Sequence, residues 1–407
     1  MVSGMQVYLC FSCTDCLQIL QAILFIMFLV GIKCSEKYPI VLVPGDGGSQ
    51  AYCDHKAKNQ SFLIWVNLIY FFRPSWLEGY FNLVYDPATG NFSDTPECEV
   101  IFPGWGETWS IENLDTSRHS STVYFEYLVS SLLLDPFYKS GFTLRGAPFD
   151  FRRSPNLNTG FPHKMTTLIE ETFHNAGDKP VVLVGHSLGS LYCLAFLKEQ
   201  SNTWKRKYVK SFVSVSGPLG GSVKALKIEA SGDNFGLIVP SALSFRSVQR
   251  SMPSLAFLLP DPRLWPPTEK LILTPNKNYS AHDYKEFFDD INYQLGYEML
   301  IKTKSSVDTL LGPTGIDELY CIYGSGLPTT YQMIYLPPTF YRSAFPDQNP
   351  TLVTGDGDGT VHTRSLQLCR FWPGVKSYEL PGAEHLRIVG DSRLIDLLRQ
   401  ISGFSTS

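Results

Sequence analysis

The run VVLVGHSLGSLYCLAFLKEQ, residues 181–200, constrains the fold of this chain more than any other. Its first four residues are β-branched or leucine, as in a strand buried on both faces of a parallel sheet. Apolar residues then recur at helical spacing, so the order is strand, turn, helix. Between the two lies GHSLG, a G-x-S-x-G pentapeptide in the context that a nucleophile elbow requires. There the glycines let Ser187 occupy a strained turn that lifts its Oγ above the sheet. The helix N-terminus beneath it favours developing negative charge.

A serine nucleophile needs a base, and the base needs an orienting acid. In this strand–turn–helix setting the chain order is serine, acid, histidine. Three histidines follow Ser187: His282, His362 and His385. His282 has no acid before it in a sheet-end loop, and His362 lies too close behind the acidic loop GDGDGT. His385, in LPGAEHL just after a strand, is the base. GDGDGT offers Asp356 and Asp358, and spacing does not choose between them. The same loop departs from a calcium-binding pattern at Thr360, so calcium is not expected. His186, inside the elbow, is expected to be structural. An oxyanion formed at Ser187 needs two backbone N–H groups. These are assigned to Leu188 and, from the loop VLVPGDGGS at residues 41–49, to Asp46.

The 407-residue chain is 44% hydrophobic and 18% charged, enough for one large α/β domain with insertions. Strands are read at YPIVLV (38–43), PVVLVG (180–185), KSFVSVSG (210–217), TLVTG (351–355) and KSYELPG (376–382). SRLIDLLRQI, residues 392–401, is an amphipathic closing helix. Strands alternating with helical segments predict an open α/β sheet. Residues 218–346, rich in proline and broken helical patterns, read as a cap over the site. SFLIWVNLIYFF, residues 61–72, is too short to span a bilayer and reads either as core or as a membrane-touching surface. With a net charge of -4 and no basic block, nucleic acid is not an expected partner.

The first 34 residues read as a signal peptide around LQILQAILFIMFLVGI, or as an uncleaved signal anchor because no Lys or Arg precedes that run. Cysteine usage agrees with export. Cys10, Cys13, Cys16 and Cys34 belong to the leader, and the three of CxxCxxC lack a fourth ligand for a cluster. The five in the body allow two disulfides and one thiol, or one disulfide and three thiols. Asn59, Asn91 and Asn278 each open an N-x-S sequon, so three glycans are expected.

With these residues placed, the chain resembles the lecithin:cholesterol acyltransferase family over residues 38–401. The resemblance rests on VLVPGD, IWVNL, RGAPFDFRRSP, VVLVGHSLG, TWKRKYVKSFVSVSGP, ASGDN, GDGDGTV and LPGAEH. Asp46 stands where the plasma sterol acyltransferase branch has cysteine. The acid loop reads DGDGT rather than DGDDT, and Glu384 precedes the histidine. All three lean toward the lysosomal phospholipase A₂ branch, whereas GHSLG leans toward the plasma branch.

The resemblance implies an α/β hydrolase over residues 35–407, with a membrane-binding subdomain at 50–82 and the cap at 218–346. It assigns the acid to Asp358 and makes Trp65, Leu68, Ile69, Phe71 and Phe72 membrane-contact candidates. It implies a disulfide between Cys321 and Cys369 and leaves Cys193 a buried thiol. The family's partner for Cys53 is replaced by Ser75, so Cys53 pairs with Cys98 or stays free. Leu219 replaces an aromatic residue near the acyl site. The implied activity removes a fatty acyl chain from a glycerophospholipid at a membrane surface. Water or a lipid alcohol such as ceramide accepts it, with no cofactor or metal, in a lysosomal or secreted setting. The alternatives are a secreted neutral phospholipid:sterol acyltransferase and a catalytically silent lipid-binding homologue.

Asp46 then poses a question of charge. An ionised carboxylate beside an oxyanion opposes it, and desolvation raises a carboxyl pKa. Asp46 is therefore expected to act as a pH gate favouring acidic conditions, unless it only hydrogen-bonds its own loop.

Overall fold

The computed structural model describes residues 36–116 and 122–404, so the expected leader lies outside the described residues. Six strands form the central sheet: β1 (Ile40–Val43), β2 (Leu144–Gly146), β3 (Val181–His186), β4 (Val209–Val215), β5 (Glu318–Ser325) and β6 (Val375–Pro381). Their spatial order is β6-β5-β4-β3-β1-β2, and every neighbouring pair is parallel. All residues of β1 and β3 are buried, which accounts for their unbroken apolar runs.

Successive side chains of a strand point to opposite faces, and each face here has its own core. On one, Val41, Val43 and Leu183 pack with the helices Phe161–Asn175 and Leu188–Glu199. On the other, Ile40, Leu42, Val182 and Val184 pack with the helices Glu126–Leu133 and Ser392–Ile401. A parallel sheet covered on both faces, with the Ser187 turn at the end of β3, is the α/β hydrolase architecture.

Three expectations need correction. TLVTG does form a strand, Thr351–Gly357, but outside the central sheet. It pairs antiparallel with Leu327–Ile334 in a separate four-stranded sheet. The chain leaves β5 through Gly326, at φ 80°, and so turns directly into that second sheet. Next, β5 itself lies within residues 218–346. That segment is therefore not one continuous insertion, because Glu318–Ser325 is buried between β4 and β6. The third concerns residues 61–72. Trp65 and Phe71 are buried, not surface groups. Trp65 stacks on Phe81 at 5.7 Å and meets Phe71 edge-on at 5.6 Å. Val66, at φ 57°, bends the chain just beyond Trp65 and ends any regular alternation. Ile69 and Phe72 are 63% and 56% exposed, and the side chain of Leu68 lies outside what is described.

The rest of this region is a three-stranded antiparallel sheet of Gln60–Leu63, Tyr52–His55 and Cys98–Ile101, followed from Leu63 by the short helices Leu68–Phe71 and Pro74–Phe81. It thus includes strand Cys98–Ile101, beyond residue 82. Cys53 is bonded to Cys98, and Cys321 on β5 to Cys369; Cys193 is a buried free thiol. Asn59, Asn91 and Asn278 are all exposed. Among the described residues no helix is long and apolar enough to cross a membrane.

Candidate active site

Ser187 sits between β3 and the helix Leu188–Glu199 with φ 54° and ψ -127°, a conformation that a non-glycine residue holds only under constraint. Its flanking glycines supply the room. A Cβ on Gly185 would lie 2.7 Å from Ser190 Cα, and one on Gly189 would lie 2.3 Å from the Pro44 carbonyl oxygen. The loop after β1 presses on Ser187 equally closely, since a Cβ on Gly45 would meet Ser187 Cβ at 2.7 Å.

His385 and Asp358 reach Ser187 from loops far along the chain. His385 Nε2 lies 2.9 Å from Ser187 Oγ, and its Nδ1 lies 2.6 Å from Asp358 Oδ2. The His385 N–H also donates to the Asp358 carbonyl at 2.9 Å, so the two loops are joined by backbone as well. Ser187, Asp358 and His385 are all buried. Burial opposes ionisation of Asp358. His385 and the N–H groups of Val361 and Thr360, at 2.8 and 3.1 Å, outweigh it and hold the carboxyl below its usual range.

Asp356, left open by spacing, turns away. Its carboxylate accepts from Gly326 N at 2.7 Å and from the Thr363 hydroxyl. Of the other histidines, His282 Nε2 lies 3.0 Å from the Trp265 carbonyl, and His362 accepts from Arg364 N at 3.1 Å. Neither takes part in the Ser187 cluster.

The N–H groups of Asp46 and Leu188 have no protein acceptor among the described residues, which leaves both free to donate to a bound group. The loop that carries Asp46 is fixed by its neighbours: Trp65 Nε1 donates to Gly47 O at 2.8 Å, and Gly48 N donates to Gly45 O at 3.1 Å. The carboxylate of Asp46 makes no hydrogen bond among the described residues, which removes the reading that it only ties its own loop. Protein packed around it desolvates the carboxyl and pushes its pKa up to about 6, with Lys224 and His385 offsetting part of the rise. Asp46 is nonetheless an exposed residue, so water weakens this push.

Two residues have roles here that the sequence does not reveal. Tyr124 accepts from Gly45 N at 3.0 Å and bonds to His186 Nδ1. Trp65 braces the same loop from a stretch that could equally be surface. Tyr124 sits in none of the motifs, and IWVNL marks Trp65 without showing that it braces this loop; both reach the loop from distant positions.

The model for the family described as lecithin:cholesterol acyltransferase matches residues 61–310 and 305–392. The human protein named lysosomal phospholipase A and acyltransferase (Homo sapiens) is 37% identical over 382 residues, 89% of this chain and 90% of that protein. The baboon phosphatidylcholine-sterol acyltransferase (Papio anubis) is 33% identical over 384 residues, 89% of this chain and 84% of that one. Among solved structures, a chain in the crystal structure of the Tle4-Tli4 complex aligns with a TM-score of 0.54 at 14% identity. It covers 90% of this chain and 98% of that one, a likeness of fold alone. Sequence identity over nearly the whole length, joined to the Ser187–His385–Asp358 geometry, places the chain in the lecithin:cholesterol acyltransferase family.

Proposed function

We propose that this chain is a serine-dependent phospholipase A and transacylase of the lysosomal type. The observation that carries the reading is the unbroken hydrogen-bonded line from Asp358 through His385 to Ser187 Oγ. In the reaction, Oγ attacks the acyl carbonyl of a glycerophospholipid and passes its proton to His385 Nε2. The N–H groups of Leu188 and Asp46 receive the tetrahedral oxyanion. The ester C–O bond then breaks, and the departing lysophospholipid oxygen takes the proton from His385. This leaves an acyl-enzyme on Ser187. Water, or a lipid alcohol such as ceramide, gives its proton to His385 as it attacks, and Ser187 is released. Asp358 stays ionised throughout and stabilises the imidazolium.

The relatives' names support the phospholipid substrate and the acyl transfer. Asp46 supports the lysosomal type over the neutral sterol type. The upward push on its carboxyl, weakened by its exposure, favours the neutral form under acidic conditions. Lysosomal or secreted residence fits the exposed sequons and the two disulfides. Exposed Ile69 and Phe72 are the proposed contacts with the membrane surface.

Product analysis on phosphatidylcholine liposomes tests the reading, with ceramide, cholesterol or no added acceptor, at acidic and neutral pH. Free fatty acid and acylceramide forming best in acid support it. Cholesteryl ester formed best at neutral pH would favour the sterol acyltransferase instead. No product under any condition, with no fluorophosphonate labelling of Ser187, would point to a silent homologue.

A further inference from the structure

His186 precedes the nucleophile in sequence, yet its ring points away from it into a buried contact with two other loops. Its Nε2 lies 2.8 Å from the backbone carbonyl of His385, and its Nδ1 bonds to the Tyr124 hydroxyl. Tyr124 in turn accepts from the N–H of Gly45, the residue before Asp46. His186 and Tyr124 are 0% and 3% exposed.

The carbonyl at one end fixes the direction of every bond in this chain. A carbonyl only accepts, so His186 carries its proton on Nε2. Nδ1 of a neutral imidazole is then an acceptor, and the Tyr124 hydroxyl must donate to it. The hydroxyl oxygen is left to accept from Gly45 N–H. The surroundings keep both groups in the required form: burial and the neighbouring His385 push the His186 pKa down to about 3, and burial raises that of Tyr124 well above its usual value. Every donor and acceptor along the path is matched.

The geometry points to Tyr124 and His186 as positioning residues that hold the oxyanion loop at Gly45 and the backbone of His385 in one register about Ser187. Neither touches the reacting atoms. The donor at Asp46 and the base at His385 are set by separate loops, from opposite ends of the chain. A rigid strut between them makes the two arrive together. A misplacement of about 1 Å in such groups can cost on the order of a hundredfold in rate.

This inference rests on the reading of Ser187 as nucleophile, and the experiment separates the two. The full-length protein is assayed with a soluble p-nitrophenyl ester and a fluorophosphonate probe. Ser187→Ala tests the reading itself, and labelling that survives it overturns that reading whatever the other variants do. Tyr124→Phe removes the acceptor for Gly45 N–H. His186→Gln keeps an amide near Nε2 but loses the acceptor for Tyr124. Each is expected to lower kcat and the labelling rate by about ten- to a hundredfold, with KM within about twofold and the melting midpoint little changed. The double variant is expected to be no worse than the poorer single one, because both cut the same path. Full rates in both single variants overturn the inference. So does an additive loss in the double variant, or a loss that simply follows a lowered melting midpoint.

Discussion

Asp356 and Asp358 stand two residues apart in one loop and face different partners. Asp358 Oδ2 lies 2.6 Å from His385 Nδ1, while Asp356 Oδ1 accepts from Gly326 N at 2.7 Å. The first orients an imidazole. The second closes the corner where the chain leaves the central sheet. Asp358→Asn removes the acceptor charge that holds the imidazole in its working tautomer and stabilises its protonated form. It is expected to lower kcat by about 10⁴-fold. Asp356→Asn is expected to keep kcat within about tenfold and to cost about 1 kcal/mol of stability through the weakened corner. Steady-state kinetics and thermal melts of the two variants check this. Equal kinetic losses would show that the acid has been misassigned.

The Asp46 carboxyl gives a pH signature with a definite sign. Its pKa is pushed up to about 6 by desolvation, so the group is neutral below that value and charged above it. If the proposed oxyanion donor at Asp46 holds, a charge on its carboxyl opposes the transition state, and kcat/KM should fall as pH rises through about 6. Asp46→Asn keeps the backbone N–H and the size of the side chain but cannot ionise. The fall should disappear and the profile extend toward neutral pH, with the acid side retained. Each unit of pKa corresponds to about tenfold if fully expressed, and solvent access to Asp46 makes the observed factor smaller. Profiles on a soluble ester, free of membrane effects, give the comparison. An identical decline in both proteins would remove the gate.

Much of this site was legible because its parts obey local rules. β3 is buried throughout and starts with an unbroken apolar run, the helix after it is buried along most of its length with apolar residues at helical spacing, and GHSLG stands out between them. Chain order then leaves three histidines, and the loops that carry them single out His385 as the candidate base. What was not legible depends on contacts between distant segments. Asp356 and Asp358 share a turn, and their roles diverge because Thr351–Gly357 pairs with Leu327–Ile334 and not with the central sheet. β2 is three residues long and gives no period to read. The β5 sequence ELYCIYGS mixes polar and apolar residues although seven of its eight positions are buried, so by pattern alone it reads as part of the cap. In SFLIWVNLIYFF the apolar residues go both ways, with Trp65 turned inward and Phe72 outward, and composition carries no direction.

That division gives a test of membrane contact. Ile69→Ser with Phe72→Ser should weaken binding to phosphatidylcholine vesicles. Full burial of one such side chain is worth about 1.5–3 kcal/mol, so a loss of about tenfold or more is expected. Hydrolysis of a soluble ester should be unaffected. Trp65→Ala should behave in the opposite way. It opens a cavity costing about 3–5 kcal/mol and releases the Gly47 carbonyl, so both the melting midpoint and the soluble rate fall. Vesicle sedimentation and melts separate the two. Undiminished vesicle binding by the double variant would move the membrane contact elsewhere.

Glu229, on the helix Val223–Ser231, makes the stability of the fold itself depend on pH. It is fully buried, and neither carboxyl oxygen has a hydrogen-bond partner. Burial pushes its pKa from 4.5 up to about 8, only partly offset by Arg250, whose Nε donates at 2.8 Å to the Glu229 backbone carbonyl and not to the carboxyl. The folded state thus holds this proton more tightly than the unfolded chain. The stability contribution is fully present below about 4.5 and is lost as pH rises toward about 8. At ~1.4 kcal/mol per unit the change amounts to several kcal/mol, enough to matter for a domain of ordinary stability. Glu229→Leu replaces the carboxyl by an apolar group. It should raise the melting midpoint at neutral pH and flatten its dependence on pH across this interval. Glu229→Gln should flatten it as well, with a smaller gain because a buried amide still lacks a partner. Melts of the three proteins across the interval decide the matter: if native and Leu variant lose stability in parallel, the loss comes from other groups.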